Sequence, residues 1–412
     1  MMKFQLVVSA ASLIVGSTAF VAPNTASQRS STTHLDMSAA LIVQNKGGGH
    51  GELGYQLAKA LTDHEKITSI TILQDDACND EKEPFKSYSS DLPDVKVVKA
   101  PLSSGDSMTS ADVKSLLGDA TFEYIWDNCS KGAEGSGKAI CDCAKDWGVK
   151  LLTYVSSAGM YQPDDDTTFP MPETTPIKET SGQAQYDAYA VELGLPLVSF
   201  RPQYIYGEKS NKHDYIDWYF HRLVRELPLP IPENGTQKVS LTNSKDVARL
   251  LIAPLDNEEA AVEQRFFNCG NDKLYSYDEV AYMCAEAAGI AKENVMIEHY
   301  DSELYGKAYF PFRLTNFYVA PDMAKEKLGY TGSQCDLAED LKWYYQGFND
   351  RGGIDEKIPL IKDAEITVLS ITRFEVGSIY DKWDPIPMDW SEVQELGIEA
   401  GWMEEEDDIS IN

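Results

Sequence analysis

The sequence predicts an α/β protein: a Rossmann-type, doubly wound parallel sheet, then a smaller C-terminal α/β lobe and an acidic C-terminal extension. Three observations predict it. The apolar run Leu41-Ile42-Val43 is followed at once by a glycine-rich turn, and then by Leu53, Leu57 and Leu61 at helical spacing. Strand-length apolar runs next alternate with helix-length segments as far as Phe200, which is the pattern of βαβ units. From Arg351 onward 16 acids stand against 5 bases, a net of −11 that sets the tail apart.

Leu41 to Val43 reads as a buried parallel strand, because it is continuously apolar and bounded by glycine. Gly48, Gly51 and Gly54 follow, spaced three apart, and Gly49-x-Gly51-x-x-Gly54, with His50 inside it, satisfies the dinucleotide fingerprint as well. Glycine is needed there because the turn is tight, the backbone approaches a pyrophosphate, and the helix start packs closely on the sheet. The second strand, Ile67 to Leu73, ends in Asp75 and Asp76, about 20 residues past the glycines, where an acid can bond a ribose hydroxyl. The plainer alternative is a glycine-rich connection that packs a helix and holds nothing. Asp75 and Asp76, with Asp80 and Glu81, lie near the strand's C-terminal end and are also candidates for a Mg²⁺ site, set against a solvated acidic loop with one ribose ligand.

The remaining elements come in order: a strand over Val95–Val98, a helix over Asp112–Leu117, a strand over Phe122–Asp127, a helix over Lys138–Trp147 and a strand over Leu151–Val155. This last strand runs into Ser156-Ser157. A helix over Gln183–Leu193 and a strand from Leu197 complete the layer. Gly132 to Lys138 has P-loop spacing, but Ala139 stands where magnesium needs a hydroxyl and Glu134 would face the phosphates, so it reads as a connection.

A net charge of −30 over 412 residues argues against non-specific binding of nucleic acid or anionic membrane by the whole surface. Seven scattered cysteines show neither a CxxC nor a Cys/His metal spacing, which fits a reducing compartment. At the N-terminus, Lys3 precedes an apolar run to Val15 and the small residues Ser17-Thr18-Ala19. A Ser/Thr-rich stretch without acids before Asp36 follows. This is the composition of a bipartite plastid presequence, like that of algae with secondary plastids, over residues 1–37. The expected organisation is therefore a presequence over 1–37, a nucleotide-binding domain over 38–200, a smaller lobe over 201–350 and the acidic extension over 351–412. No segment is expected to span a membrane.

These motifs, with Phe200-Arg201-Pro202-Gln203-Tyr204, Asn211-Lys212, Trp218-Tyr-Phe-x-Arg222-x-x-Arg225 and Pro230-Ile-Pro232, resemble the chloroplast stem-loop-binding proteins of 41 kDa. The a-type branch is the nearer match. That family is an atypical branch of the extended short-chain dehydrogenase/reductase superfamily, to which the wider resemblance extends from Ala39 to about Phe348. It implies an NAD(P)-binding fold with Gly48, Gly49, His50, Gly51, Gly54, Asp75 and Ser157 around the cofactor. It further implies plastid RNA as partner, in transcript processing, stability or ribosome function, with Mg²⁺-dependent endonucleolytic cleavage an open question and an oligomer expected.

The superfamily's acid/base pair is Tyr-x-x-x-Lys on the helix after the Ser-Ser strand, the lysine lowering the tyrosine's pKa. Counting back from Phe200, those positions fall near Ala184 and Ala188, and neither moves a proton. Tyr55 and Lys59 match the spacing but lie on the first helix. Hydride transfer is therefore disfavoured; an NAD(P)-dependent sugar-nucleotide epimerase or reductase with a relocated acid/base is the alternative, and a redox-inert NAD(P)-sensing scaffold a third. Between Gly207 and Arg249, 7 Lys/Arg stand against 6 acids, interleaved with aromatics. With the preceding strand end, this stretch supplies the expected RNA contacts Arg201, Gln203, Tyr204, Lys209, Lys212, Arg222, Arg225 and Lys245. Trp218, Tyr219, Leu223 and Val224 at helical spacing read equally well as a core face carrying long cationic side chains.

Overall fold

The computed structural model describes residues 38–45, 49–103, 108–360, 362–363 and 366; for 49–51 it describes the backbone alone. The expected presequence over 1–37 and most of the expected acidic extension lie outside these residues.

The first half of the chain builds the large layer. Strand β1 (Ser38–Gln44) leads into helix α1 (Gly49–Thr62), strand β2 (Ile67–Asp75), the short helix α2 (Tyr88–Asp91) and strand β3 (Lys96–Ala100). Helix α3 (Ser110–Leu117), strand β4 (Tyr124–Asn128), helix α4 (Ser136–Trp147), strand β5 (Leu151–Val155), helix α5 (Gly182–Glu192) and strand β6 (Leu197–Pro202) follow. Two turns show how the sequence sets the boundaries. Thr109 and Asp112 form a capping box that starts α3, and Gly148 takes the left-handed conformation that ends α4.

The second half starts with strand β7 (Ile205–Tyr206), helix α6 (Asp214–Leu223), strands β8 (Leu229–Pro232), β9 (Lys238–Val239) and β10 (Thr242–Asn243), and helices α7 (Ser244–Ile252) and α8 (Glu258–Gln264). Strands β11 (Phe266–Cys269) and β12 (Tyr275–Ser276), helix α9 (Tyr277–Ala287), strand β13 (Ile297–Tyr300), the short helix α10 (Ser302–Tyr305), and helices α11 (Asp322–Leu328) and α12 (Leu337–Asp350) complete it.

Seven parallel strands form one sheet in the order β11-β6-β5-β4-β1-β2-β3, so the winding reverses between β1 and β4. Strand periodicity divides its side chains between two cores. Ala40, Ile42, Ile72, Trp126 and Phe200 pack with α1 and α7 on one face; Leu41, Val43, Leu73, Ile125 and Leu152 pack with α3, α4 and α5 on the other. A third core belongs to the smaller lobe, where α6, α9 and α12 enclose Trp218, Tyr219, Phe220, Tyr277, Phe310, Phe312 and Tyr344.

The expected boundary at 200/201 does not mark the end of the large layer. Residues 244–269 return to it, α7 lying beside α1 in the same core and β11 pairing with β6 as an edge strand. The smaller lobe is assembled from the segments on either side of that return.

Candidate functional site

In an open parallel sheet the ligand crevice lies beyond the strands' C-terminal ends, where the winding reverses. Here that is the space past β1 and β4. Its floor is polar and closed on itself. Asn128 at the end of β4 donates to Gln44 Oε1 at the end of β1, 2.6 Å away. Gln74 of β2 donates to the Asn45 carbonyl at 2.8 Å and accepts from the Tyr88 hydroxyl at 3.3 Å.

Gly48 lies outside the described residues. Gly49, His50 and Gly51 form the first turn of α1, their backbone helical as a phosphate-facing helix start requires. Gly54 explains itself. A Cβ there would run into the Gln44 side-chain amide, so any larger residue has to displace Gln44 from its bond with Asn128. Asp75 ends β2 as expected, but it is fully buried and engaged by its own surroundings: Oδ1 accepts from Ala77 N at 3.0 Å, and Oδ2 from the Ser103 hydroxyl. Asp76 is exposed. Among the described residues no three His, Cys, Asp or Glu side chains converge as a metal site, and the expected Asp75–Asp76 pair finds no third ligand.

The glycine-start helix and the close α1–β1 approach fit the pyrophosphate of NAD, while Asp75 is held by Ala77 and Ser103. At the counted positions on α5 the expected acid/base pair has no counterpart. On α5, Ala184 is buried and Ala188 carries no proton, while the neighbouring polar side chains are either buried or paired with α4. Tyr186 is buried, stacked 3.8 Å from Tyr154. Tyr189 donates to Asp142 at 2.6 Å and accepts from Lys138 at 2.8 Å, both on α4. Asp187 turns into the core towards Ser199 and Arg201, and desolvation lifts its pKa to about 6. Ser157 accepts from Gly159 N at 3.0 Å, a local turn bond.

The expected RNA contacts separate into three groups. Arg201, Gln203 and Arg222 are interior residues. Arg201 lies between the Tyr161 and Phe266 rings and donates to the Tyr161 hydroxyl at 3.0 Å and the Glu173 carbonyl at 3.2 Å. Gln203 donates to the Phe317 carbonyl. Arg222 pairs with Asp363, Nε to Oδ2 2.6 Å, both side chains under 5% exposed (3% and 4%).

Tyr204 and Arg225 are half-buried and structural. Tyr204 has φ 39°, uncommon for a bulky residue, and its ring packs against Tyr215 and Phe312 while its hydroxyl accepts from Arg313 N. Arg225 donates to the carbonyls of Gly353, Ile354 and Glu356. The α6 aromatics are therefore core, which decides the alternative the spacing had left open.

The lysines stay near the surface. Lys209 donates to Ser87 at 2.8 Å and lies 3.3 Å from Glu83; Lys212 lies 3.4 Å from Asp214; Lys245 is half exposed, 3.8 Å from Glu208. One cation escaped the sequence reading. Arg313 is exposed, donates to the Gly159 carbonyl at 3.1 Å beside Ser157, and stacks 4.1 Å over Phe317. Its only signal was a position in the aromatic run Tyr309 to Tyr318.

Comparison with known proteins agrees with this geometry. Residues 47–270 match the model of the NAD dependent epimerase/dehydratase family. The chloroplast stem-loop binding protein of 41 kDa b from Arabidopsis thaliana is 30% identical over 268 residues, 64% of this chain and 68% of that protein. That relative is the b form, where the motifs had pointed to the a-type. Among solved structures, dTDP-glucose 4,6-dehydratase from Bacillus anthracis, in complex with NAD, superposes with a TM-score of 0.59 at 15% identity, covering 76% of this chain and 97% of that one. UDP-glucuronic acid 4-epimerase from Bacillus cereus, with UDP-glucuronic acid and NAD, gives 0.55 at 14% identity over 76% and 99%. Sheet order, glycine-start helix and family match agree: this chain belongs to the NAD dependent epimerase/dehydratase family.

Proposed function

We propose that this chain is a plastid RNA-binding protein, built on an epimerase-family domain that holds an NAD-type nucleotide without transferring hydride. The observation that carries the reading is α5. By the count from Phe200 the acid/base positions fall near Ala184 and Ala188, and beside them Tyr186 and Asp187 are buried while Tyr189 is hydrogen-bonded to α4. A fold that keeps the glycine turn and loses the proton carrier keeps binding and loses turnover.

RNA as the partner, and the plastid as the place, rest on the stem-loop-binding chloroplast relative. In the chain as folded, Arg222 and Arg225 are engaged by residues 353–363, while the near-surface cations Lys212, Lys245 and Arg313 are the ones placed to meet a phosphate backbone. Each lies beside an aromatic ring or an acid, so binding is local and salt-sensitive.

The test is a titration of labelled stem-loop RNA with the mature chain, at several salt concentrations, alongside Lys212→Gln/Lys245→Gln/Arg313→Gln. The triple variant should lose affinity and flatten the salt slope by roughly 0.7 to 0.9 per contact. Binding equal to the parent's would reject these residues. Steady NADPH oxidation with a sugar nucleotide would reject the redox-inert reading.

A further inference from the structure

The cations at the C-terminal end of α6 are taken by the first stretch of the acidic extension. Arg222 forms a bidentate pair with Asp363, Nε–Oδ2 2.6 Å and Nη2–Oδ1 3.0 Å, and its guanidinium lies 4.0 Å over the Trp218 ring. Arg225 donates to three carbonyls of the 353–356 turn. His221 lies 3.5 Å from the Glu356 carboxylate; burial and the two arginines hold its imidazole neutral, its pKa down to about 3. One turn earlier Asp217 accepts from Arg351 at 2.9 and 3.1 Å, and further along Ile366 is buried with Tyr300 and Ala308. Together these contacts strap the extension across α6.

Two features distinguish the strap from ordinary packing of a terminal segment. It presents carboxylate and carbonyl oxygens to a guanidinium stacked on an indole and to its neighbour, which is the acceptor chemistry of a phosphate backbone over an aromatic-cation surface. Both charges of the Arg222–Asp363 pair are also out of water, which is costly, where apolar side chains would fasten a purely structural strap equally well.

We propose that this strap is an intramolecular stand-in for RNA: it occupies the cationic end of α6, and an RNA backbone takes Arg222 and Arg225 when the strap lifts. The inference rests on the RNA-binding reading above. It adds a site that is closed in the resting chain and ties the acidic extension to that site's occupancy.

Three full-length mature chains test it against a fluorescein-labelled 20-nucleotide poly(U): the parent, Glu356→Gln/Asp363→Asn, and a variant with Glu404, Glu405, Glu406, Asp407 and Asp408 changed to their amides. Overall charge alone predicts the larger gain for the last, which loses five negative charges against two. The strap predicts the reverse. Glu356→Gln/Asp363→Asn should bind about tenfold tighter, with a salt slope steeper by roughly 0.7 for each arginine freed, and the distal variant should change little.

Hydrogen exchange on the unmodified parent gives a reading that does not depend on the variants folding. Adding poly(U) should deprotect amides in 351–360 while protecting those of 221–226. A parent that binds poly(U) with its 351–360 amides unchanged or better protected would overturn the strap while leaving RNA binding standing. No binding by any of the three chains at low salt would overturn the RNA reading, and this inference with it.

Discussion

Asp187 is the residue whose chemistry is most exposed to test. Its carboxyl is buried beside Ser199, and desolvation outweighs the Arg201 charge, raising the pKa from 3.8 to about 6. The folded chain thus holds the proton more tightly than the unfolded one. Its stabilising contribution is complete below pH 3.8 and is lost as pH rises through about 6. Asp187→Asn should therefore stabilise the protein at pH 8 by up to about 3 kcal/mol and leave it unchanged near pH 4, as read from urea denaturation at both pH values. Equal effects at both would mean the carboxyl is not desolvated. Gly54 supplies a second case. Gly54→Ala drives a methyl into Gln44, which is tied to Asn128, and should cost about 1–3 kcal/mol in the same assay.

At the scale of elements, α6 shows where sequence reasoning succeeds and where it stops. The strands and helices of the large layer were legible because burial imposes a period on apolar residues, and glycine marks the turn that α1 needs. What spacing could not show was the partner of each cation. Arg222 meets Asp363, 141 residues away, and no local pattern distinguishes an arginine aimed at solvent from one folded over Trp218. The same reason hid Arg201 between two rings. Arg222→Ala should consequently act on stability first. It leaves Asp363 buried and unpaired, and a loss of about 3–5 kcal/mol in chemical denaturation is expected. A stability change under about 1 kcal/mol would place Arg222 in solvent instead.

Across the whole molecule, the chain leaves the large layer after β6 and returns for α7 and β11, so the two lobes are threaded together. A single boundary near residue 200 was the natural reading because β11 is only four residues long and α7 resembles any amphipathic helix. That threading fixes β6 and the turn at Tyr204 between the crevice of the sheet and the core of the smaller lobe. Nucleotide in the crevice should therefore stabilise both lobes together. Saturating NAD⁺ at 100 times its Kd should raise the unfolding free energy by about 2.7 kcal/mol in one cooperative transition. Two separated transitions, with only one shifted, would show the lobes to be independent.

We propose that an epimerase-family domain here binds RNA and moves no hydride. The most direct measurement is the fluorescence anisotropy of a labelled stem-loop RNA, titrated with the mature chain from low salt upward, with nicotinamide absorbance followed in the same cuvette. The account predicts saturable binding that weakens linearly in log–log against salt, with absorbance flat when UDP-sugars are added. Anisotropy that never rises at low salt, or nicotinamide absorbance that changes with a sugar nucleotide, would contradict it.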